Sequence, residues 1–517
     1  MGDMQNAEYG KLKRLLLFVV VIKLIASYFI DLGNDEAYYY TYALQPDYNH
    51  FDHPPMVGFL IQLTTFNLHW VNNISMRLGA IACSAAATFF LYRLTCLLFN
   101  SRTAWFSSLI FQCSIYTSVI AGLFILPDSP QMPLYIGALW LMASLLFDNT
   151  AKHLQLVYWL LLGACIGLAA LCKIHALYLW AGFGLYLILQ QPKWLLNYRL
   201  YLAALVTLLF LLPIWYWNVQ NNFITYAFHA ERVTHRHLLW DSLLQEILGE
   251  VLYQNPVIAL LTAVSVIFAT KQLLGKSTKQ AVLIWLLCMS IPMLLLFWGL
   301  SLFNPTLPHW SGPAYIPLFI IGAHYLHHNQ TSYTPLYLRI AGSLVLIALV
   351  AATLLIQLAP FQTGNKTVAR YGEGCPTLDV SGWQALYTDF DSLSKTDVEK
   401  GIMQENSPIL VNKWFPAAQL ELYVGSKMPQ HTLLGVGTLP NLHKFAWLNK
   451  ERTWLQLHQN AYCIVPSNNP MNVEEEYGKY FEKISAPDTL PQIRGGAVVR
   501  YFLVYRLRNC INIPSKP

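Results

Sequence analysis

Charge is what this sequence has least of. Only 12% of its 517 residues are Asp, Glu, Lys or Arg, against ~25% in an ordinary globular domain. A soluble chain of this length would need a charged coat, so a soluble cytoplasmic enzyme is excluded. No CxxC pair occurs among the nine cysteines, which argues against a thiolate zinc site. The chain also has no Gly-rich nucleotide loop, internal repeat or low-complexity tract. Its apolar runs contain Lys23 and Arg93 but no acidic partner for either. Disorder is excluded by what is abundant, since 55% of residues are hydrophobic and 14% aromatic. The net charge of +6 is spread in short basic clusters between apolar runs. That pattern orients a protein in a membrane and gives no patch for nucleic acid.

A helix crosses a bilayer in about 20 mostly apolar residues. Eleven runs qualify, near 12–30, 77–99, 104–126, 131–147, 156–172, 175–190, 200–217, 252–270, 281–301, 312–328 and 336–358. The first continues through Ile30 without a cleavage site and reads as a retained helix. The shorter stretch 56–70 reads as an interfacial helix or a further span. With the N-terminus inside, the inner loops carry Arg102, Lys152, Lys193, Arg199, Lys271, Lys276 and Lys279. The outer loops carry Arg77, Lys173, Arg232 and Arg236, so the basic bias supports this orientation. Beyond about residue 360 the apolar runs stop. Strand-like segments at 408–412, 461–465 and 497–507 and a helix-like segment at 414–424 predict a small α/β domain on the outer face. The expectation is an α-helical polytopic membrane protein with about 11–13 spans over 1–360 and an extracytoplasmic α/β domain over 361–517. Cys375, Cys463 and Cys510 in that domain permit one disulfide in an oxidising compartment.

Chemistry-bearing residues gather in the outer loops. The first, 31–55, holds Asp31, Asp35, Glu36, Asp47 and Asp52 with His50 and His53. Asp35-Glu36 opens the segment AYYYTYAL, a short helix whose N-terminal dipole would keep a carboxylate ionised. An ionised Asp at a membrane surface suits a general base. Asp128 stands between two prolines in LPDSP, as a helix cap, a functional carboxylate, or both. Lys173 lies between two spans, where it either snorkels to the interface or contacts phosphate. His229, Glu231, Arg232, His235, Arg236 and His237 crowd a fourth loop. His235 and His237 do not share a helical face, and an Arg suits phosphate, so an anion site is at least as plausible there as a metal. His309 precedes a boundary Trp310 and has no default structural reason. The topology puts all these groups on one face, which suits chemistry on a phosphorylated lipid.

The run DEAYYYTYAL followed by FDHPP resembles the first periplasmic loop of GT-C glycosyltransferases. LPDSP at 126–130, GLAALCKIHAL at 167–177, PIWYWNVQNNFITYAF at 213–228, LPHWSGPAYIP at 307–317 and NKWFPAAQLELYV at 412–424 follow in the family's order. The pattern is similar to the bacterial branch related to protein O-mannosyltransferases and the aminoarabinose transferase of lipid A. The resemblance implies an inverting transferase of the bacterial inner membrane, with its active site and C-terminal domain periplasmic. The donor would be a sugar on polyprenyl phosphate, and the acceptor a hydroxyl or phosphate of lipid A, a polysaccharide or a protein. Asp35 would be the base and Glu36 its support. His53 stands where the aminoarabinose enzymes carry a phosphate-binding lysine, and Tyr38 where they carry an arginine. Asp52, Asp128 and His229 would join them in substrate binding, with Lys173, Arg232 and His309 supplying positive charge. No metal ligand set is assigned, no cofactor is implied with certainty, and a divalent metal stays open.

Three other readings remain. Asp389-Phe390-Asp391 is a DxD pattern of the kind nucleotide-sugar transferases use for metal. A transporter or flippase of lipid-linked sugars is the main alternative. Charged residues and repeats within the spans would favour it, and a non-catalytic assembly subunit is a third.

Overall fold

In a computed structural model, the chain is described over residues 2–148, 154–231, 238–275, 278–330, 332 and 334–517. Lys152, Arg232, His235, Arg236, His237 and Lys276 lie outside these residues. The helices run in order α1 (Gly2–Phe29), α2 (Asn34–Leu44), α3 (Met56–Thr64), α4 (Asn73–Leu98), α5 (Ser101–Cys113), α6 (Asp128–Phe147), α7 (Gln155–Cys172) and α8 (Tyr178–Gln190). They continue as α9 (Tyr198–Gln220), α10 (Ile224–Glu231), α11 (Trp240–Tyr253), α12 (Pro256–Leu274), α13 (Gln280–Cys288), α14 (Ile291–Ser301), α15 (Tyr315–Asn329) and α16 (Leu336–Leu358). The C-terminal part holds α17 (Trp383–Glu399), β1 (Ile409–Val411), α18 (Trp414–Leu420), β2 (Leu433–Gly435), α19 (Leu439–Leu442) and α20 (Phe445–Glu451). It ends with β3 (Ala461–Pro466), α21 (Val473–Tyr477), β4 (Phe481–Ile484), β5 (Asp488–Arg494) and β6 (Ala497–Cys510).

Every one of the eleven expected spans coincides with a helix or a helix pair. Among the described residues seven are long and apolar enough to cross a membrane, or eight if α1 and α2 form one bent span. The others are interrupted. The run expected at 104–126 is α5, then a π turn at Tyr116–Ile120. The run at 312–328 is the 15-residue α15. In lipid every backbone group needs an internal partner, so such breaks sit where protein covers them; Tyr116, Thr117 and Ser118 are buried. The stretch at 56–70 forms only the nine-residue α3, too short to span.

The chain groups into two compact units. The first comprises Met1–Ile25, Tyr48–Thr64 and Ser75–Leu349, and the second Ala26–Asp47, Thr65–Ile74 and Val350–Pro517. In the first unit α7 packs between α6 and α9. Gly163 allows this approach, because a Cβ there would fall 2.2 Å from the Ala203 carbonyl oxygen. Thr207 Oγ1 donates to the Gly163 carbonyl at 2.9 Å across the same contact.

The second unit is built on a six-stranded sheet of order β2-β1-β3-β6-β4, with β5 also paired to β6. β1 is parallel to β2 and β3, while β6 is antiparallel to β3, β4 and β5. Leu410, Leu434, Val465, Tyr477 and Leu507 share its core. The predicted strands at 408–412, 461–465 and 497–507 are β1, β3 and β6. All nine cysteines are free, so the permitted disulfide does not form. Cys463 faces the sheet core instead, where a thiol packs as a small hydrophobe.

Candidate active site

In the first unit α6 and α7 form a hairpin, so the start of α6 and the end of α7 come to the same level. Asp128 is the first residue of α6 and Lys173 follows the last residue of α7. Lys173 Nζ lies 3.1 and 3.0 Å from the two Asp128 carboxylate oxygens. Tyr116 OH donates to Asp128 Oδ1 at 2.9 Å. Gln131 Nε2 donates to the Lys173 carbonyl at 2.9 Å and fixes the chain at the break. Asp128 and Lys173 are 2% and 6% exposed. Lys173 therefore does not snorkel, and Asp128 makes no side-chain cap, because Pro127 holds the N-cap position.

Histidines surround this pair. Burial pushes the pKa of His53 down to about 4; Lys173 and His229 lower it further, while Asp52 and Asp128 oppose. His309 is likewise pushed to about 4 by burial first, then by Lys173 and His53 against Asp128. At neutral pH both rings are uncharged N–H donors. His175 lies in electrostatic range of Lys173, Asp128, His309 and His53. Its Nε2 is buried with no hydrogen-bond partner among the described residues.

The loops that carry His53 and His309 are tethered. His229 Nε2 hydrogen-bonds the Asp52 carbonyl at 3.1 Å, and Phe51 packs on Phe228 at 4.6 Å between ring centres. His309 stacks on Tyr253. One turn apart on α11, Glu246 and Glu250 hold the following loop. Glu246 accepts from Thr306 at 2.8 Å. Glu250 accepts from Ser311, from Tyr315 OH at 2.9 Å and from Trp298 Nε1 at 2.8 Å. Sequence reasoning missed Tyr116, Glu246 and Glu250, and passed over His175. The two buried glutamates one helical turn apart in an apolar helix were the available signal.

Asp35, Glu36 and Tyr38 belong to the second unit. Glu36 Oε2 accepts the Gly33 N–H at 2.9 Å, reaching back over the first turn of α2. Asp35 is exposed in that first turn. α2 is anchored through its approach: Leu32 N–H donates to Tyr423 OH at 2.7 Å, and Gln419 Nε2 to the Leu32 carbonyl at 2.8 Å. Asp31 accepts from Trp383 N–H at 3.2 Å and Gln384 Nε2 at 3.0 Å, tying the same segment to α17. Tyr38 is buried among rings, with centroids 5.1 Å from Trp414 and 5.8 Å from His443.

Among the described residues no group of three or more His, Cys, Asp or Glu is arranged to hold a metal. Asp389 and Asp391 lie inside α17, two residues apart and on different faces.

Residues 52–217 match the family model of dolichyl-phosphate-mannose-protein mannosyltransferases. The structure is similar to that of ArnT from Cupriavidus metallidurans in the apo state, at 15% identity and TM-score 0.59 over 96% of this chain and 98% of that one. It is also similar to the same protein bound to undecaprenyl phosphate, at 14% identity and TM-score 0.63 with the same coverage. No curated protein sequence matches significantly. The chain is thus a polytopic membrane protein of the GT-C fold, resembling ArnT over nearly its whole length and the protein mannosyltransferases over 52–217.

Proposed function

We propose that the protein is an inverting glycosyltransferase that moves a sugar from a polyprenyl-phosphate donor to an acceptor hydroxyl or phosphate at the periplasmic face of the inner membrane. One observation carries the reading. The region matched by the mannosyltransferase family model contains His53, Asp128 and Lys173, and these three residues, from separate segments, act on one another at close range.

In this reaction the acceptor oxygen attacks the anomeric carbon while a base takes its proton. The bond from that carbon to the phosphate oxygen breaks, and the phosphate keeps the electron pair. Asp35 is the base. Its exposure in the first turn of α2 supports that role, and Glu36 orients the turn. The growing phosphate charge needs preorganised donors. The neutral N–H groups of His53 and His309 and the Lys173 ammonium supply them. Asp128 holds the ammonium in place, and Asp52 and His229 shape the loop that presents His53.

The test is transfer in liposomes. Purified protein should glycosylate acceptor with a polyprenyl-phosphate sugar and be inert with a nucleotide sugar. Turnover with the nucleotide sugar alone would refute the proposal. Mass spectrometry of glycolipids and glycoproteins from cells with and without the gene would identify the acceptor.

A further inference from the structure

Lys23 lies within α1, inside the first unit, and is 3% exposed. A lysine at membrane depth is costly and is normally paired. Its Nζ donates to Ser84 Oγ at 2.7 Å, the single hydrogen bond it makes among the described residues. An ammonium has three protons to give. Lys23 lines a cavity of about 430 Å³ bounded by α1, α5, the π turn and α16. Asp52, His53, Asp128, Lys173 and His309 do not line it.

A second polar group lines the same cavity. Gln112 on α5 is 7% exposed, and its Nε2 donates to Thr88 Oγ1 at 2.7 Å. Thr88 in turn donates to the Ser84 carbonyl at 2.7 Å. The Thr88 hydroxyl proton is therefore spent, so Gln112 must present its nitrogen to Thr88. Its Oε1 is left buried with no partner among the described residues. Leaving a buried acceptor without a donor is unfavourable. The cavity thus offers unspent N–H donors on a cation and one unspent acceptor.

The remaining walls are mostly apolar, with Leu15, Phe18 and Ile22 on α1 and Val345, Leu346 and Leu349 on α16; Ser118, Ser343 and the exposed Arg339 also line them. The apolar window of α16 is only 11% buried, and Phe18 and Leu346 are exposed. The cavity therefore borders surface that lipid covers.

We infer that this cavity binds one anionic phospholipid with a hydroxylated head group, its phosphate on Lys23, its hydroxyl on Gln112 and an acyl chain along α1 and α16. A zwitterionic lipid lacks the net negative charge, and phosphatidic acid lacks the glycerol hydroxyl. The apolar walls fit a hydrocarbon chain, whose burial is favourable.

The test uses the full-length protein in a neutral detergent. It is titrated with phosphatidylglycerol, phosphatidic acid or phosphatidylcholine and read by native mass spectrometry. One phosphatidylglycerol should be retained at least tenfold more strongly than phosphatidylcholine, with phosphatidic acid between them. Lys23→Met should abolish the preference over phosphatidylcholine. Gln112→Leu should leave that preference and remove the one over phosphatidic acid. Gln112→Leu keeps Lys23 and its Ser84 bond, so it reads the site even if Lys23→Met fails to fold. Equal retention of phosphatidylglycerol and phosphatidylcholine, or undiminished binding in Lys23→Met, would overturn the site. Equal retention of phosphatidylglycerol and phosphatidic acid by the unaltered protein would overturn the hydroxyl assignment.

Discussion

Each unit contains one buried carboxylate held by a cation and a tyrosine hydroxyl, and the two arrangements differ in what surrounds them. In the first unit Asp128 is held by Lys173 and Tyr116. In the second, Asp397 is held by both ends of the Arg506 fork, at 2.6 and 2.8 Å, and by Tyr462 OH at 3.0 Å. Arg506 lies on β6, Tyr462 on β3 and Asp397 on α17, so that pair ties a helix to its sheet. A planar fork suits such a fixed tie. Lys173 instead is a point charge with histidines 53, 175 and 309 in range, and one of them has an unspent ring nitrogen. The same ion-pair chemistry therefore reads as architecture in one unit and as a poised site in the other.

The comparison is sharpened first by a residue outside both pairs. Asp35→Asn keeps shape and hydrogen bonding but removes basicity. Initial-rate transfer assays should show turnover falling about 10²–10⁴-fold with donor binding nearly unchanged. Near-normal turnover, with expression confirmed, would pass the role to Asp128 or Glu36. Next, Lys173→Met or Arg506→Met should destabilise by about 3–5 kcal/mol, since each leaves a buried carboxylate unpaired. Chemical denaturation measures this loss. The double variants separate the pairs. Asp397→Asn/Arg506→Met should recover both stability and transfer. Asp128→Asn/Lys173→Met should recover stability alone, with weakened donor binding. Full transfer in that second double variant would make both pairs architectural.

Much of this was legible because apolar runs and ordered motifs are local signals. The spans, β1, β3 and β6, and the short helix after Asp35 follow from residues close in sequence. The Asp128–Lys173 pair was not legible, because it joins residues 45 apart through a hairpin whose rotation no sequence period fixes. Each partner alone suggested a cap or a snorkelling lysine. Tyr38 was read as a site residue from its place in a motif, yet its ring packs against Trp414, which is far along the chain. Arg232 lies outside the described residues, so its role stays a proposal. Glu250 was missed because its donors, Trp298, Ser311 and Tyr315, come from later segments.

The histidines give a smaller, pH-dependent difference between the units. His53 and His309 have pKa values near 4 in the folded chain, against 6.5 when free. Between those values the unfolded chain binds more protons. Their contribution is therefore complete above pH 6.5 and is lost as pH falls towards 4. Melting temperatures between pH 7.5 and 4.5 should drop, and His53→Gln should flatten that drop. Donor binding should stay nearly flat from pH 8 to 6, because both rings remain neutral N–H donors over that range. An unchanged slope in His53→Gln would remove His53 from the titrating set.

The smallest effect is expected where a sequence motif looked strongest for metal. Asp389 and Asp391 are two residues apart on α17, so their side chains point about 200° apart around the helix and do not converge on one ion. Asp391 already has a partner, Lys395 Nζ at 2.7 Å, one helical turn on. That lysine is 68% exposed, and an exposed pair of this spacing contributes about 0.3–0.5 kcal/mol. Asp391→Asn should therefore cost no more than that in denaturation, and transfer from a lipid-linked donor should stay within about twofold. If Asp391→Asn instead abolished turnover that a divalent metal restores in the unaltered protein, α17 would have to unwind to bind it. The nucleotide-sugar reading would then regain its main support.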